Sequence, residues 1–153
     1  MSFDYIVARL SCPECGAVTE ADTATDLQTH LQASPQGEYL AVGDEIDLRD
    51  DGPAGAGYVP IRDPGPDEPL RVVESWGCPV CDEPYNWAEV TIEGGYIRSV
   101  ETVELSAEML DRVHYLTWDI NDLYRAVTGD SLYEEGSLRP DYLPRLRTVL
   151  SNE

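Results

Sequence analysis

The sequence predicts an α+β protein: a mostly antiparallel β domain over residues 1–105, followed by a helical C-terminal appendage over residues 106–153. Three observations predict this fold class. Apolar and polar residues alternate in short runs through the β domain, which is the period of a half-buried strand. After Ser106 the apolar period changes to that of a helix. All four cysteines fall in two Cys-x-x-Cys pairs within the β domain, at residues 12–15 and 78–81.

The strands are predicted from β-branched and aromatic residues, from alternation and from turn signals. Leu27, Thr29 and Leu31 alternate with polar residues, which favours a strand over a helix. Gly94-Gly95 separates two alternating runs and predicts a hairpin, because both turn positions can adopt positive φ without a Cβ clash. The strands are expected at about residues 3–10, 27–31, 70–76, 85–92 and 96–105.

An acidic loop rich in proline and glycine is predicted over about residues 50–69, inserted between the two cysteine pairs. Glycine and proline at this density favour turns over regular hydrogen-bond ladders. One short apolar run within the loop, from Tyr58 to Ile61, is expected to contact the sheet.

A helix is predicted over about residues 107–128, with Ser106 as its cap and Gly129 as its stop. Its apolar residues recur at gaps of three and four, so they form one stripe. Either the stripe packs on the protein's own sheet, or it forms a homo-oligomer interface. A short second helix is predicted at about residues 141–150. The stripe comprises Met109, Val113, Leu116, Ile120, Leu123 and Val127.

The two Cys-x-x-Cys pairs predict a shared metal site. The two-residue spacer lets both sulfurs of a pair turn toward one point, and four thiolates complete a tetrahedral Zn²⁺ shell. The alternative is a pair of redox dithiols, but such motifs usually occur singly and open a helix after a strand. We therefore expect one structural zinc ion, bound by Cys12, Cys15, Cys78 and Cys81.

These residues also carry a family resemblance. Cys12-Pro-Glu-Cys15-Gly16 and Cys78-Pro-Val-Cys81 resemble the two knuckles of a zinc ribbon, the rubredoxin-like class of small metal-bound β domains. The resemblance covers the knuckles and their flanking strands, and it implies that each knuckle lies at a hairpin turn. Asp82 departs from the pattern, because glycine often follows the second cysteine of such a knuckle.

The charge balance predicts the kind of partner. The chain has 30 acidic residues against ten arginines and no lysine, for a net charge of −20. Such a charge repels phosphates and anionic lipid and attracts basic partners, so direct binding to nucleic acid or membrane is not expected. An acidic bias of the whole proteome is the alternative origin of this charge. With neither a leader nor a spanning segment recognised, we expect a cytoplasmic location.

No catalytic residue is predicted. Four cysteines would leave the zinc without an open coordination position. The two histidines, His30 and His114, lack a supporting motif and are expected at the surface. Trp76, Tyr85 and Trp87 lie around the second knuckle and are expected to shield the metal or to form an interface.

The function expected from these features is that of a non-enzymatic, acidic zinc-ribbon adaptor or accessory protein, in the manner of an immunity protein or antitoxin. Its partner would be a protein that is basic or presents an apolar groove. One alternative is an accessory subunit of a transcription or RNA-processing assembly. Another is a rubredoxin-like electron carrier, since a site of four cysteines can also hold iron.

Overall fold

A computed structural model describes residues 3–20, 22, 25, 27–33, 39–46, 53, 56–82 and 86–151. Within these residues the strands are β1 (Phe3–Ile6), β2 (Gln28–Ala33), β3 (Tyr39–Leu40), β4 (Val59–Pro60), β5 (Leu70–Trp76), β6 (Asn86–Glu93), β7 (Tyr96–Val103), β8 (Tyr115–Leu116), β9 (Tyr133–Glu134) and β10 (Ser137–Leu138). The helices are α1 (Ile120–Thr128) and α2 (Tyr142–Ser151), and a 3₁₀ helix spans Glu108–Asp111.

The largest sheet has five strands in the order β4-β8-β5-β6-β7. Its pairs are antiparallel except for β5 and β8, which run parallel. A smaller sheet has the order β2-β1-β3, and β9 and β10 form a separate two-stranded hairpin. The fold is therefore α+β and mostly antiparallel, as the sequence predicts, with more sheet than two knuckle hairpins alone would provide.

The long sheet separates two apolar cores. On one face, Val72 and Trp76 of β5 join Ile6, Leu27 and Leu31 from the region of the small sheet. On the other face, Val73 of β5 packs with residues of the C-terminal third, including those of α1 and α2. Strand β6 is buried from Asn86 to Ile92 because both of its faces are covered. Cys12 and Cys78 belong to the first core, whereas Cys15 and Cys81 are exposed.

Two local predictions agree with the structure. Gly94 and Gly95 turn the chain between β6 and β7 with φ of +62° and +84°, the left-handed region that glycine favours. The apolar run Tyr58–Ile61 supplies β4, whose Val59 is paired with Leu116 of β8. The inserted loop thus contributes an edge strand to the five-stranded sheet.

The single helix predicted over residues 107–128 is replaced by a 3₁₀ helix, strand β8 and α1. Ser106 does accept a hydrogen bond from the amide of Met109, at 3.2 Å, but only the 3₁₀ helix follows it, with Ala107 as the N-cap residue. The chain then becomes extended because β8 fills the gap between β4 and β5 and pairs with both. Gly129 ends α1 with φ of +75°, as its position predicts.

The predicted apolar stripe packs mostly inside the protein. Its first four members are buried in the second core, and Leu123 is half-buried at the edge of that core. Val127 is exposed. Homo-oligomer formation through the stripe stays a prediction, and only its last two members are accessible for it. The four buried members are Met109, Val113, Leu116 and Ile120.

Helix α2 occupies the region of the second predicted helix and folds back onto the sheet. Leu146, Val149 and Leu150 are buried in the second core. The hydroxyl of Tyr142 donates a hydrogen bond to the carbonyl of Pro60 in β4. The C-terminal segment is therefore packed on the five-stranded sheet through apolar side chains.

Candidate metal centre

Each Cys-x-x-Cys pair lies at a turn between antiparallel segments. The first pair lies between Ser11 and Val18, which form an isolated antiparallel bridge. The second pair lies between β5 and β6, and the β5–β6 register ends with Trp76 paired to Asn86. The hydroxyl of Thr102 on β7 binds both the amide and the carbonyl of Ser11, at 3.2 and 3.1 Å. These contacts hold the first turn against the sheet that carries the second.

The two knuckles share one backbone geometry. The carbonyl of Cys12 accepts a hydrogen bond from the amide of Gly16, and the carbonyl of Cys78 accepts one from Asp82, both at 2.9 Å. Gly16 has φ of +77° and Asp82 has φ of +61°. Asp82 therefore occupies the left-handed conformation that glycine favours, which aspartate tolerates better than most residues. The departure from the zinc-ribbon pattern at this position leaves the turn intact.

The structure brings the four cysteines together. All four Sγ atoms lie within 4.8 Å of one another. The Sγ atoms of Cys12 and Cys81 are 3.7 Å apart, and those of Cys15 and Cys78 are 3.6 Å apart. These separations exceed a disulfide bond, about 2.05 Å. They match the edge of a sulfur tetrahedron, about 3.8 Å when Zn–S is about 2.3 Å. The donors and their spacing are compatible with a bound metal ion.

The surroundings of Cys12 favour its thiolate. Burial raises the pKa of the Cys12 thiol, but the amides of Cys15 and Glu14 and the neighbouring thiols outweigh it and lower the pKa to about 7. The side-chain amide of Asn86 also lies 3.7 Å from the Cys12 sulfur and donates toward it. Hydrogen bonds to the charged form stabilise it, and a metal ion binds the thiolate rather than the thiol.

The cluster is half inside the protein. Cys12 and Cys78 are each 2% exposed and belong to the first apolar core, whereas Cys15 and Cys81 are exposed. Trp76 is 1% exposed and belongs to the same core, and its shielding of the site stays a prediction. Trp87 belongs to the core on the other face of the sheet. Tyr85, the third aromatic residue of that prediction, lies outside the described residues.

Neither histidine is the surface residue that the sequence predicts. His114 is fully buried: its Nδ1 accepts a hydrogen bond from the Arg71 amide at 3.0 Å, and its Nε2 lies 3.3 Å from a carboxylate oxygen of Glu68. His30 is half-buried, with its ring centroid 3.9 Å from that of Trp118. Burial lowers the pKa of His30 to about 4, although Asp119 opposes this change. Neither histidine belongs to the cluster of four cysteines.

A buried polar cluster beneath β5 escaped the sequence predictions. Glu74 is 1% exposed and accepts a hydrogen bond from the Tyr58 hydroxyl, which in turn accepts one from the His30 amide at 2.8 Å. Burial raises the pKa of Glu74 well above its usual value, although the hydrogen bond from Tyr58 opposes the shift. Strand alternation already indicated this burial, because Glu74 lies on the same face of the strand as the apolar residues Val72 and Trp76.

A second buried carboxylate, Glu89, lies on the opposite face of the sheet. Its two oxygens accept hydrogen bonds from Arg71 at 3.0 Å and from Arg112 at 2.9 and 2.6 Å. Both guanidinium groups remain partly exposed, whereas the Glu89 side chain is almost wholly buried. This ion cluster ties β5 and β6 to the segment that follows the 3₁₀ helix.

Comparison with protein-family models, with curated proteins and with solved structures gives no match to this chain. Within the described ranges, none of the helices combines the length and the apolar character needed to cross a membrane.

Proposed function

We propose that this chain is a non-enzymatic adaptor or accessory protein, built on a zinc-ribbon-like domain that one structural zinc ion cross-links, and that it binds another protein. The observation that carries the proposal is the closed cluster of four sulfurs within 4.8 Å. A catalytic zinc ion usually has three protein ligands and one open position for water or substrate. Four thiolates in a tetrahedron occupy every position, so the ion would stabilise the fold rather than activate a substrate.

The charge distribution supports a basic partner. At least seven of the ten arginines form ion pairs within the chain, so most of the positive charge is used internally and the excess of acidic groups remains for the surface. A surface of this sign speeds association with basic proteins and repels nucleic acid. The paired arginines are Arg62, Arg71, Arg98, Arg112, Arg139, Arg145 and Arg147.

Metal analysis of natively purified protein tests the zinc assignment. We expect one zinc ion per chain, no visible colour, and release of the ion when a thiol-specific mercurial titrates the four cysteines. Substoichiometric metal in protein that is nevertheless fully folded would contradict the structural role of the ion.

A second candidate, a rubredoxin-like electron carrier, is favoured by one specific observation. The side-chain amide of Asn86 donates toward the Cys12 sulfur, and two of the four sulfurs are exposed. Hydrogen bonds to sulfur and solvent exposure also set the potentials of iron–sulfur centres. A red, reversibly reducible iron form that predominates in native protein would establish this candidate in place of the zinc adaptor.

Binding measurements separate the adaptor from a nucleic-acid-contacting accessory subunit. In a gel shift at low salt, we expect no retardation of short single-stranded or double-stranded DNA or RNA. Tight retardation that weakens steeply with added salt would overturn the adaptor proposal, because it would show neutralisation of phosphates. A purified partner should instead bind through a basic surface.

A further inference from the structure

We propose that a groove beside the first knuckle binds a segment of the partner protein that inserts an apolar side chain flanked by arginine or lysine. This inference rests on the proposed adaptor function and assigns it a surface and a partner chemistry. The groove has a volume of about 360 Å³, within the usual range for binding pockets of about 300–1,000 Å³. A groove of this volume accommodates a few side chains and is too small for a whole secondary-structure element.

The floor of the groove is apolar and is assembled from three parts of the chain. Trp87 belongs to β6, Val103 ends β7 and Leu105 follows just after it. Leu123 belongs to α1. Val103, Leu105 and Leu123 are each only partly buried against the second core, so apolar surface remains open to solvent. Covering such surface is the main favourable term in protein association.

The rim of the groove is acidic. Glu14 belongs to the first knuckle, and Glu104 directly follows β7; both are exposed. Among the described residues that line the groove, none is basic. An apolar side chain alone would enter without using the two carboxylates. A basic residue on either side of it would pair with them at the rim, where charge complementarity fixes orientation and register.

The metal centre shapes one wall of this groove. Pro13 and Glu14, which line it, lie between the ligands Cys12 and Cys15. Asn86 lines it as well, and the side chain of Asn86 donates to the Cys12 sulfur. The position of this wall therefore depends on the knuckle geometry, and removal of the metal should weaken binding without any change to the residues of the floor.

A random heptapeptide display library, selected on zinc-loaded protein, tests the proposal. We expect enriched peptides to share one large apolar residue with arginine or lysine within two positions. A synthetic peptide with an enriched sequence is then titrated calorimetrically. Its affinity for Leu123→Ala and for the double variant Glu14→Gln/Glu104→Gln should in each case be about tenfold weaker than for wild type. Val127→Ala, on an exposed position one turn further along α1, and Glu101→Gln on β7 are the matched controls and should bind as wild type.

Three results would overturn the groove: no enriched peptide, enriched peptides without basic residues, or equal binding by wild type and groove variants. In the last case binding at another surface would leave the adaptor function standing. Conversely, native protein without zinc would refute the proposed metal role, while peptide binding by the variants would still test the groove. Each variant is checked for one zinc ion per chain and for a wild-type unfolding midpoint, so that a loss of binding is assigned to the groove.

Discussion

Replacement of Cys78 by serine should remove the cross-link between the two knuckles. Cys15 and Cys78 are 63 positions apart, so a metal ion that joins them closes a long loop. If the ion acts as a covalent cross-link does, the chain-entropy relation for a loop of this size gives about 4 kcal/mol of stabilisation. That is a large part of the roughly 5–15 kcal/mol by which a domain is stable. The serine hydroxyl would also be buried, since Cys78 is 2% exposed.

Urea unfolding followed by circular dichroism measures this loss. At a slope of about 2 kcal/mol per molar urea, the midpoint of Cys78→Ser should fall by roughly 2 M relative to zinc-loaded wild type. Wild type stripped of metal should lose a comparable amount. Val80→Ala is the matched control, because Val80 lies in the same knuckle and is 70% exposed. A Cys78→Ser variant with the midpoint of wild type would refute the structural role of the metal.

Further predictions concern the buried carboxylates and the knuckle backbone. Because the pKa of Glu74 is raised in the folded state, the folded chain binds more protons than the unfolded one above about pH 4.3. The free energy of unfolding therefore falls as the pH rises, by up to about 1.4 kcal/mol per pH unit. Glu74→Gln should flatten that slope in urea unfolding between about pH 6 and 8; an unchanged slope would show that Glu74 is ionised. Glu89→Gln should cost about 1.5–3 kcal/mol, because the charge-assisted hydrogen bonds to two arginines are lost, and equal midpoints would contradict it. Asp82→Gly should stabilise the chain by up to about 1 kcal/mol, whereas Gly16→Ala should destabilise it by about 1 kcal/mol, since only glycine takes positive φ without strain. The opposite order of the urea unfolding midpoints would disprove the shared knuckle geometry.

In the proposed groove, a bound metal ion would have a role beyond stability. The knuckle that places Cys12 also places Pro13 and Glu14 among the groove residues, together with Leu123 of α1. A structural ion can therefore control binding without contacting the partner. This arrangement also connects the two features that the sequence shows most strongly, the paired cysteines and the acidic charge, at one place on the surface.

Features that depend on residues close together in the chain could be predicted from the sequence. The Gly94-Gly95 turn, the strand alternation at Leu27, Thr29 and Leu31, and the pairing of cysteines each depend on residues close in the chain. The conformation of a turn follows from which residues tolerate positive φ, and strand alternation follows from the pleat. These features need no knowledge of distant partners.

The tertiary structure decided what depends on distant partners. Residues 113–116 carry an apolar spacing that fits a helix, yet Tyr115 and Leu116 form a strand because β4 and β5 offer unpaired edges on both sides of them. Glu74 of β5 is buried beside Tyr58 of the inserted loop, whose hydroxyl donates to it, and that burial raises the pKa of its carboxyl group. The sequence by itself therefore determined the turns, the strand periods and the donor set for a metal. Only the folded chain decided which polar groups are buried and where an acidic, apolar groove meets the metal centre, since both depend on contacts between segments far apart in sequence.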